Sequence, residues 1–210
     1  LDNIVFTNSW VYYSDADEVM PSDLRDEILS KATHSAHTSA FRLRYKNFFW
    51  GRWIRHCGIY PVWVLRLFRP EKIRWERVVN PIPVVEGIVA DLECHFHHFS
   101  FNKGLDAWLE KHNRYSNGEA LETLKSLRSA SFRIAGIFAA DRVQRRRALK
   151  ELSFRLPARF LLRFIYMYVL KRGFLDGLPG LRYCCLLAIY EYMISIKVAE
   201  LLRCEAGLRI

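Results

Sequence analysis

Asp15-Ala16-Asp17-Glu18 places three carboxylates within four residues, directly after the strand-like run Trp10 to Tyr13. Oxygen donors at that spacing suit magnesium or manganese, and such an ion neutralises charge that grows on a departing diphosphate. The same acids would also serve as ordinary decoration of a helix N-terminus, where they complement the helix dipole. A second group, Cys94-His95-Phe96-His97-His98, carries metal-binding side chains. On a strand, however, Cys94 and His98 face one side and His95 and His97 the other, so solvent-facing histidines are expected rather than a zinc site. Arg66, flanked by Leu65 and Leu67, offers a guanidinium fit for bidentate contact with a diphosphate, or for a salt bridge on the sheet surface.

These groups need elements to position them. Strict alternation of Phe41, Leu43 and Tyr45 with Arg42, Arg44 and Lys46 predicts a half-buried strand, and Trp63 to Phe68 and Ile88 to Phe99 read as two more. Pro21 to Ala32 reads as a helix with Leu24, Ile28 and Leu29 on one face, and Leu105 to Leu127 as another. Pro157 fits the first turn of a third helix ending near Leu170, with Lys171-Arg172-Gly173 as its stop, and a last helix from Leu181 to Leu202 follows the turn Gly177-Leu178-Pro179-Gly180. Residues 51–61 form a glycine-punctuated aromatic stretch, either a loop over a binding cleft or a connector with a packed aromatic tip. The pattern is mixed α/β.

The 210 residues are half hydrophobic (51%), enough for a sizeable core. Thirty-two Lys and Arg against 22 Asp and Glu give a net charge of +10, which favours anionic partners. The cations gather late, from Arg142 to Arg172, among Phe, Leu and Tyr, as suits an anionic membrane surface. Phe160, Leu161, Phe164, Ile165 and Tyr168 would meet lipid, or else pack on the rest of the protein. Basic residues set among aliphatics match no RNA or DNA motif, so nucleic acid is not an expected partner. Five cysteines without a C-x-x-C pair indicate neither a disulfide framework nor a zinc ribbon, and read as a reducing, cytoplasmic setting. The apolar runs are interrupted by Arg163, Glu191 and Lys197, which disfavours a membrane span.

The run from Leu1 to Glu18 resembles the end of the nucleotide-binding half of family-2 glycosyltransferases. Gly58-Ile59-Tyr60-Pro61, Leu65-Arg66-Leu67-Phe68-Arg69, His98-Phe99-Ser100-Phe101, Lys111-His112-Asn113-Arg114-Tyr115-Ser116 and Lys171 to Gly177 are similar, in order, to members that build lipopolysaccharide core and colanic-acid-type polymers. The resemblance implies a partial GT-A (nucleotide-diphospho-sugar transferase) mixed sheet over residues 1–130 and a basic amphipathic helical extension over 131–210, expected as a membrane-peripheral element. Since Leu1 is not an initiator methionine, the family's first strands and base-binding acid are expected upstream. The implied reaction is inverting transfer of a sugar from a nucleotide-sugar donor to a lipid-linked or polysaccharide acceptor, at the inner face of the cytoplasmic membrane. Asp15 and Asp17 would contact the Mg or Mn ion and the donor, with Arg66 at the diphosphate and His98 completing the metal shell or touching a phosphate.

Direct displacement needs a carboxylate to take the acceptor proton. Glu76 and Glu86 are the candidates, because Asn80-Pro81 stand where relatives often carry a His-Glu pair. The alternative is a non-catalytic basic module that binds membrane or protein.

Overall fold

The computed structural model describes residues 5–76, 82–128 and 158–209, with positions 141, 144, 145, 148, 149, 152 and 156 between them. Two compact units divide at Asn102/Lys103. The boundary expected near residue 130, Asn80-Pro81 and Pro157 lie outside the described residues.

The first unit is α/β. Its strands are β1 (Val11–Tyr12), β2 (Glu18–Val19), β3 (Thr38–Phe49), β4 (Arg52–Trp53), β5 (Trp63–Phe68), β6 (Ile73–Glu76), β7 (Ile82–Val85) and β8 (Ile88–His98), and its helix is α1 (Ser22–His34). The main sheet runs β1-β5-β3-β8-β2, with β4 hairpinned onto β3, while β6 and β7 pair separately. β3 and β8 are parallel and the other pairings antiparallel, so the sheet is mixed. The alternation read from the sequence orders β3: Phe41 and Leu43 are buried and Arg42 is exposed.

Those side chains meet Leu24 and Ile28 of α1, with Leu67, Leu92 and Phe96. At roughly 1.5–3 kcal/mol for each fully buried aliphatic or aromatic side chain, this cluster is the main driving force for the unit. Leu29, expected on the same helix face, is 61% exposed, because one residue past Ile28 rotates it about 100° away from the sheet.

β8 bulges against β3. The pairing passes from Arg42↔Asp91 to Arg44↔His95, so β8 spends four residues where β3 spends two. The bulge takes the N–H groups of Glu93 and Cys94 off the ladder, and both donate to the Glu27 carboxylate of α1, at 2.8 and 2.9 Å. Burial raises the Glu27 pKa, but these N–H groups outweigh it and hold the carboxyl below its ordinary value. Glu27→Ala is expected to cost roughly 1–3 kcal/mol, since two donors lose their acceptor, as read by urea unfolding. An unchanged midpoint would show that water satisfies them.

The second unit is helical: α2 (Gly104–Arg128), α3 (Arg159–Ile165) continued by a π turn (Tyr166–Leu170), a 3-10 turn (Gly173–Asp176), and α4 (Gly177–Glu205). Ala120 of α2 packs on Ile194 and Val198 of α4. Lys197 donates from α4 to Asn113 O and Oδ1, Ser116 Oγ and Asn117 Oδ1 at 2.5–2.8 Å. The Lys111 to Ser116 stretch thus supplies a clasp between helices. Among the described residues no helix is long and apolar enough to cross a membrane.

The turn expected at Gly177 to Gly180 is instead the first turn of α4, where Pro179 is tolerated because N–H groups there have no helical acceptor. A Cβ on Gly180 would sit 2.4 Å from the Gly173 carbonyl oxygen and 2.7 Å from Asp176 Cβ. Alanine gains up to about 1 kcal/mol in helix propensity. The clash with backbone costs about 1–3 kcal/mol. Gly180→Ala should therefore lower the unfolding temperature, and a higher one would show that the 3-10 turn yields.

Of the residues expected to face lipid, Leu161 and Ile165 are exposed, whereas Phe160, Phe164 and Tyr168 are half-buried. Phe160 packs on Tyr192 and Phe164 stacks on Tyr168, which turns the helix's outward face elsewhere.

Candidate functional site

The acidic run closes a tight turn between β1 and β2. Glu18 N–H donates to the Asp15 carbonyl at 3.1 Å, and Asp15 N–H returns a bond to Glu18 Oε2 at 3.2 Å. This clamp sends the carboxylates two ways. Asp15 and Glu18 turn toward Arg66 on β5, while Asp17 points to the end of β8.

On the Arg66 side, the guanidinium donates to Asp15 Oδ2 at 2.7 Å and to Glu18 Oε1, and lies 4.9 Å over the Tyr13 ring. Tyr13 Oη donates to Asp15 Oδ1 at 2.8 Å. Side-chain exposure is 14% for Arg66 and 3% for Glu18. Burial raises the Glu18 pKa above its ordinary value although Arg66 opposes it. Asp15 is more open: burial pushes it up, but the Tyr13 hydroxyl and Arg66 hold it below its ordinary value. Arg66 therefore forms the salt bridge that was one of its two expected roles. Among the described residues its Nε is buried without a hydrogen-bond partner, as is the Tyr12 hydroxyl, which burial pushes up to about 12.

On the other side, β2 pairs with β8 in the register Glu18↔His98, and Phe99 N–H donates to the Asp17 carbonyl at 2.8 Å. This register brings His98 Nε2 to 3.3 Å from Asp17 Oδ2, with both side chains about one quarter exposed. Tyr45 meets the His98 ring edge-on at 5.4 Å and fixes its plane.

Asp17 and His98 thus offer one oxygen and one nitrogen donor at an open edge. Among the described residues no group of three or more His, Cys, Asp or Glu side chains converges. Two protein donors fit an ion whose remaining ligands come from phosphate and water, as is usual for magnesium at nucleotide sites. Asp15, committed to Arg66 and Tyr13, does not share that pair.

The other candidates make surface contacts of their own. Glu76, at the end of β6, lies 3.3 Å from Arg74 and is exposed. Glu86, following β7, is 83% exposed and 3.7 Å from Lys72. Cys94 and His98 share one strand face, as expected, but burial and Glu27 push the Cys94 thiol up to about 11, away from a thiolate at neutral pH.

His95 and His97 are half-buried rather than fully open to solvent. His95 Nε2 is 3.0 Å from Tyr60 Oη, and His97 packs against Phe48 and Phe99. Burial, with Arg44 and Lys46 beside His95 and Lys46 beside His97, lowers both pKa values. The stretch 51–61 contains β4 and buries Ile54 and Cys57, so it packs as a connector with an aromatic tip. Next to it a cleft of about 280 Å³ is lined by Phe48, Trp50, Phe99 and Phe101.

Sequence reasoning missed Glu18 as the buried partner of Arg66 and Tyr13 as the cap on Asp15. The turn's place after a strand and before a helix was the signal the sequence offered. No protein-family model matches the chain, and no curated protein matches it.

Proposed function

We propose that the chain is an inverting glycosyltransferase of GT-A type, resembling family 2, that moves a sugar from a nucleotide-sugar donor to a lipid-linked or polysaccharide acceptor in envelope glycan synthesis. The observation that carries this reading is the approach of Asp17 to His98 at 3.3 Å, beside the Asp15–Arg66–Glu18 cluster at the same end of the sheet.

Asp17 and His98 would hold a Mg or Mn ion, which supplies charge neutralisation for the leaving diphosphate. Asp15, whose two oxygens accept from Tyr13 and Arg66, would border the donor from the next turn position. Arg66 acts as a positioning residue, because the turn that orients Asp17 is tied to it. In the reaction the acceptor oxygen bonds to the anomeric carbon as the bond from that carbon to the diphosphate oxygen breaks. The bonding pair stays on the diphosphate, and the acceptor proton goes to a carboxylate, for which Glu76 and Glu86 are the candidates. The reading puts the protein at the inner face of the cytoplasmic membrane.

The second reading, a non-catalytic basic module that binds membrane or protein, draws on the exposed apolar and cationic residues of the second unit. Transfer assays separate the two. The protein expressed from its complete reading frame, supplied with labelled nucleotide sugars, manganese and a glycolipid extract, should move label into the lipid fraction. Label that stays with the nucleotide across the whole donor panel would favour the non-catalytic reading.

A further inference from the structure

The helical run 159–170 is apolar on both faces. Its inner side carries Met167, fully buried, with Phe164 and Tyr168 half-buried. Its outer side carries Leu161, Leu162, Ile165, Val169 and Leu170, spaced as one broad helical stripe and 45–68% exposed, and Phe174 in the following turn adds to them. A helix apolar all round is normally enclosed. Here the described residues enclose one side alone.

Charge identifies what the other side fits. Between residues 158 and 191 the chain has five cations, Arg159, Arg163, Lys171, Arg172 and Arg182, and two acids, Asp176, which is 2% exposed, and Glu191, whose side chain is 13% exposed and pairs with Arg159 at 2.9 Å. The exposed face therefore presents apolar side chains flanked by Arg163, Lys171 and Arg172, with no exposed acid in that span. Protein interfaces are depleted in lysine, and a cationic rim in them calls for an acidic patch on the partner. An apolar stripe with a purely cationic border instead matches acyl chains beneath a layer of phosphate headgroups, with long basic side chains reaching up to the phosphates.

Length fixes the depth. Twelve residues of helix span about 18 Å, short of the ~30 Å hydrocarbon layer, so the run lies in the interface plane. We infer that the outer face of residues 161–174 is a membrane-docking surface that prefers anionic phospholipid. This inference rests on the membrane location in the proposed reading, not on the transfer reaction.

Vesicle flotation of the whole protein tests it. Wild type should float with vesicles containing phosphatidylglycerol and remain behind with phosphatidylcholine alone. Leu162→Glu/Leu170→Glu should weaken binding by about tenfold or more, because each buried leucine is worth about that factor. Arg163→Glu/Lys171→Glu should remove the preference for the anionic lipid. All four positions are exposed, and thermal unfolding checks that the variants fold. Equal binding of wild type to both vesicles, or none to either, would overturn the inference, and that comparison needs no variant. Undiminished binding by the leucine variant would overturn it too, by assigning the lipid contact to another part of the chain. So would a wild-type dimer that this variant dissociates, which would make the face a contact between copies.

Discussion

Arg66→Met is expected to destabilise the first unit by roughly 3 kcal/mol at pH 8, because it leaves the carboxylate of Glu18 buried without its counter-charge. The side chain of Glu18 is 3% exposed, so water cannot replace the guanidinium without opening the turn. The pH dependence separates this cause from lost packing. Burial already raises the Glu18 pKa in the folded state, and removing Arg66 raises it further. Between the ordinary value of 4.5 and the raised folded value, the native state holds a proton that the unfolded state has lost. Stability from this group is therefore present below 4.5 and falls as pH rises through the folded value. The variant should recover part of its loss between pH 8 and pH 5, relative to wild type. A loss that is the same at both pH values would mean that the methionine simply packs badly.

Asp17→Asn carries the second large effect. The amide keeps the size of the carboxylate and can still face His98, so folding stability should change little. It removes the negative charge and one good cation ligand. Under the proposed reaction, turnover should fall by about 100-fold or more, the scale seen when one group that stabilises developing charge is lost. Substituting His98 by alanine should weaken manganese dependence in the same direction. If Asp17→Asn retains wild-type turnover in manganese, the ion is held elsewhere or is not used.

Much of the frame was legible in the sequence. β5 falls where the run Trp63 to Phe68 put it, β3 extends the alternating run Phe41 to Lys46 by three residues at each end, and β8 ends one residue before the expected Phe99. Alternation survives in these strands because one face is buried against α1 and the other is not. What was not legible depends on partners distant in sequence. Glu27 lies 66 and 67 residues from the N–H groups it satisfies, and only the bulge in β8 creates that demand. The histidines alternate as expected. Whether the His95 and His97 face is wet depends on Tyr60, Phe48 and Phe99 folding over it, and they come from other elements.

The acidic run shows the same division within four residues. Its place after a strand and before a helix was readable from the sequence. The sequence suggested one cluster, whereas the reciprocal bonds between Asp15 and Glu18 divide it, with Asp15 and Glu18 on Arg66 and Asp17 on His98. Proline at 179 misled for a local reason, since the residue that breaks a helix interior is accepted in its first turn.

Manganese-dependent binding of a panel of nucleoside diphosphates and sugar nucleotides, followed by titration calorimetry on wild type and Asp17→Asn, tests the central claim most directly. The account predicts that one class of nucleotide binds to wild type when manganese is present, and that chelation or Asp17→Asn removes this binding while the fold persists. Nucleotide binding that ignores both manganese and Asp17, or binding by no member of the panel, would contradict it.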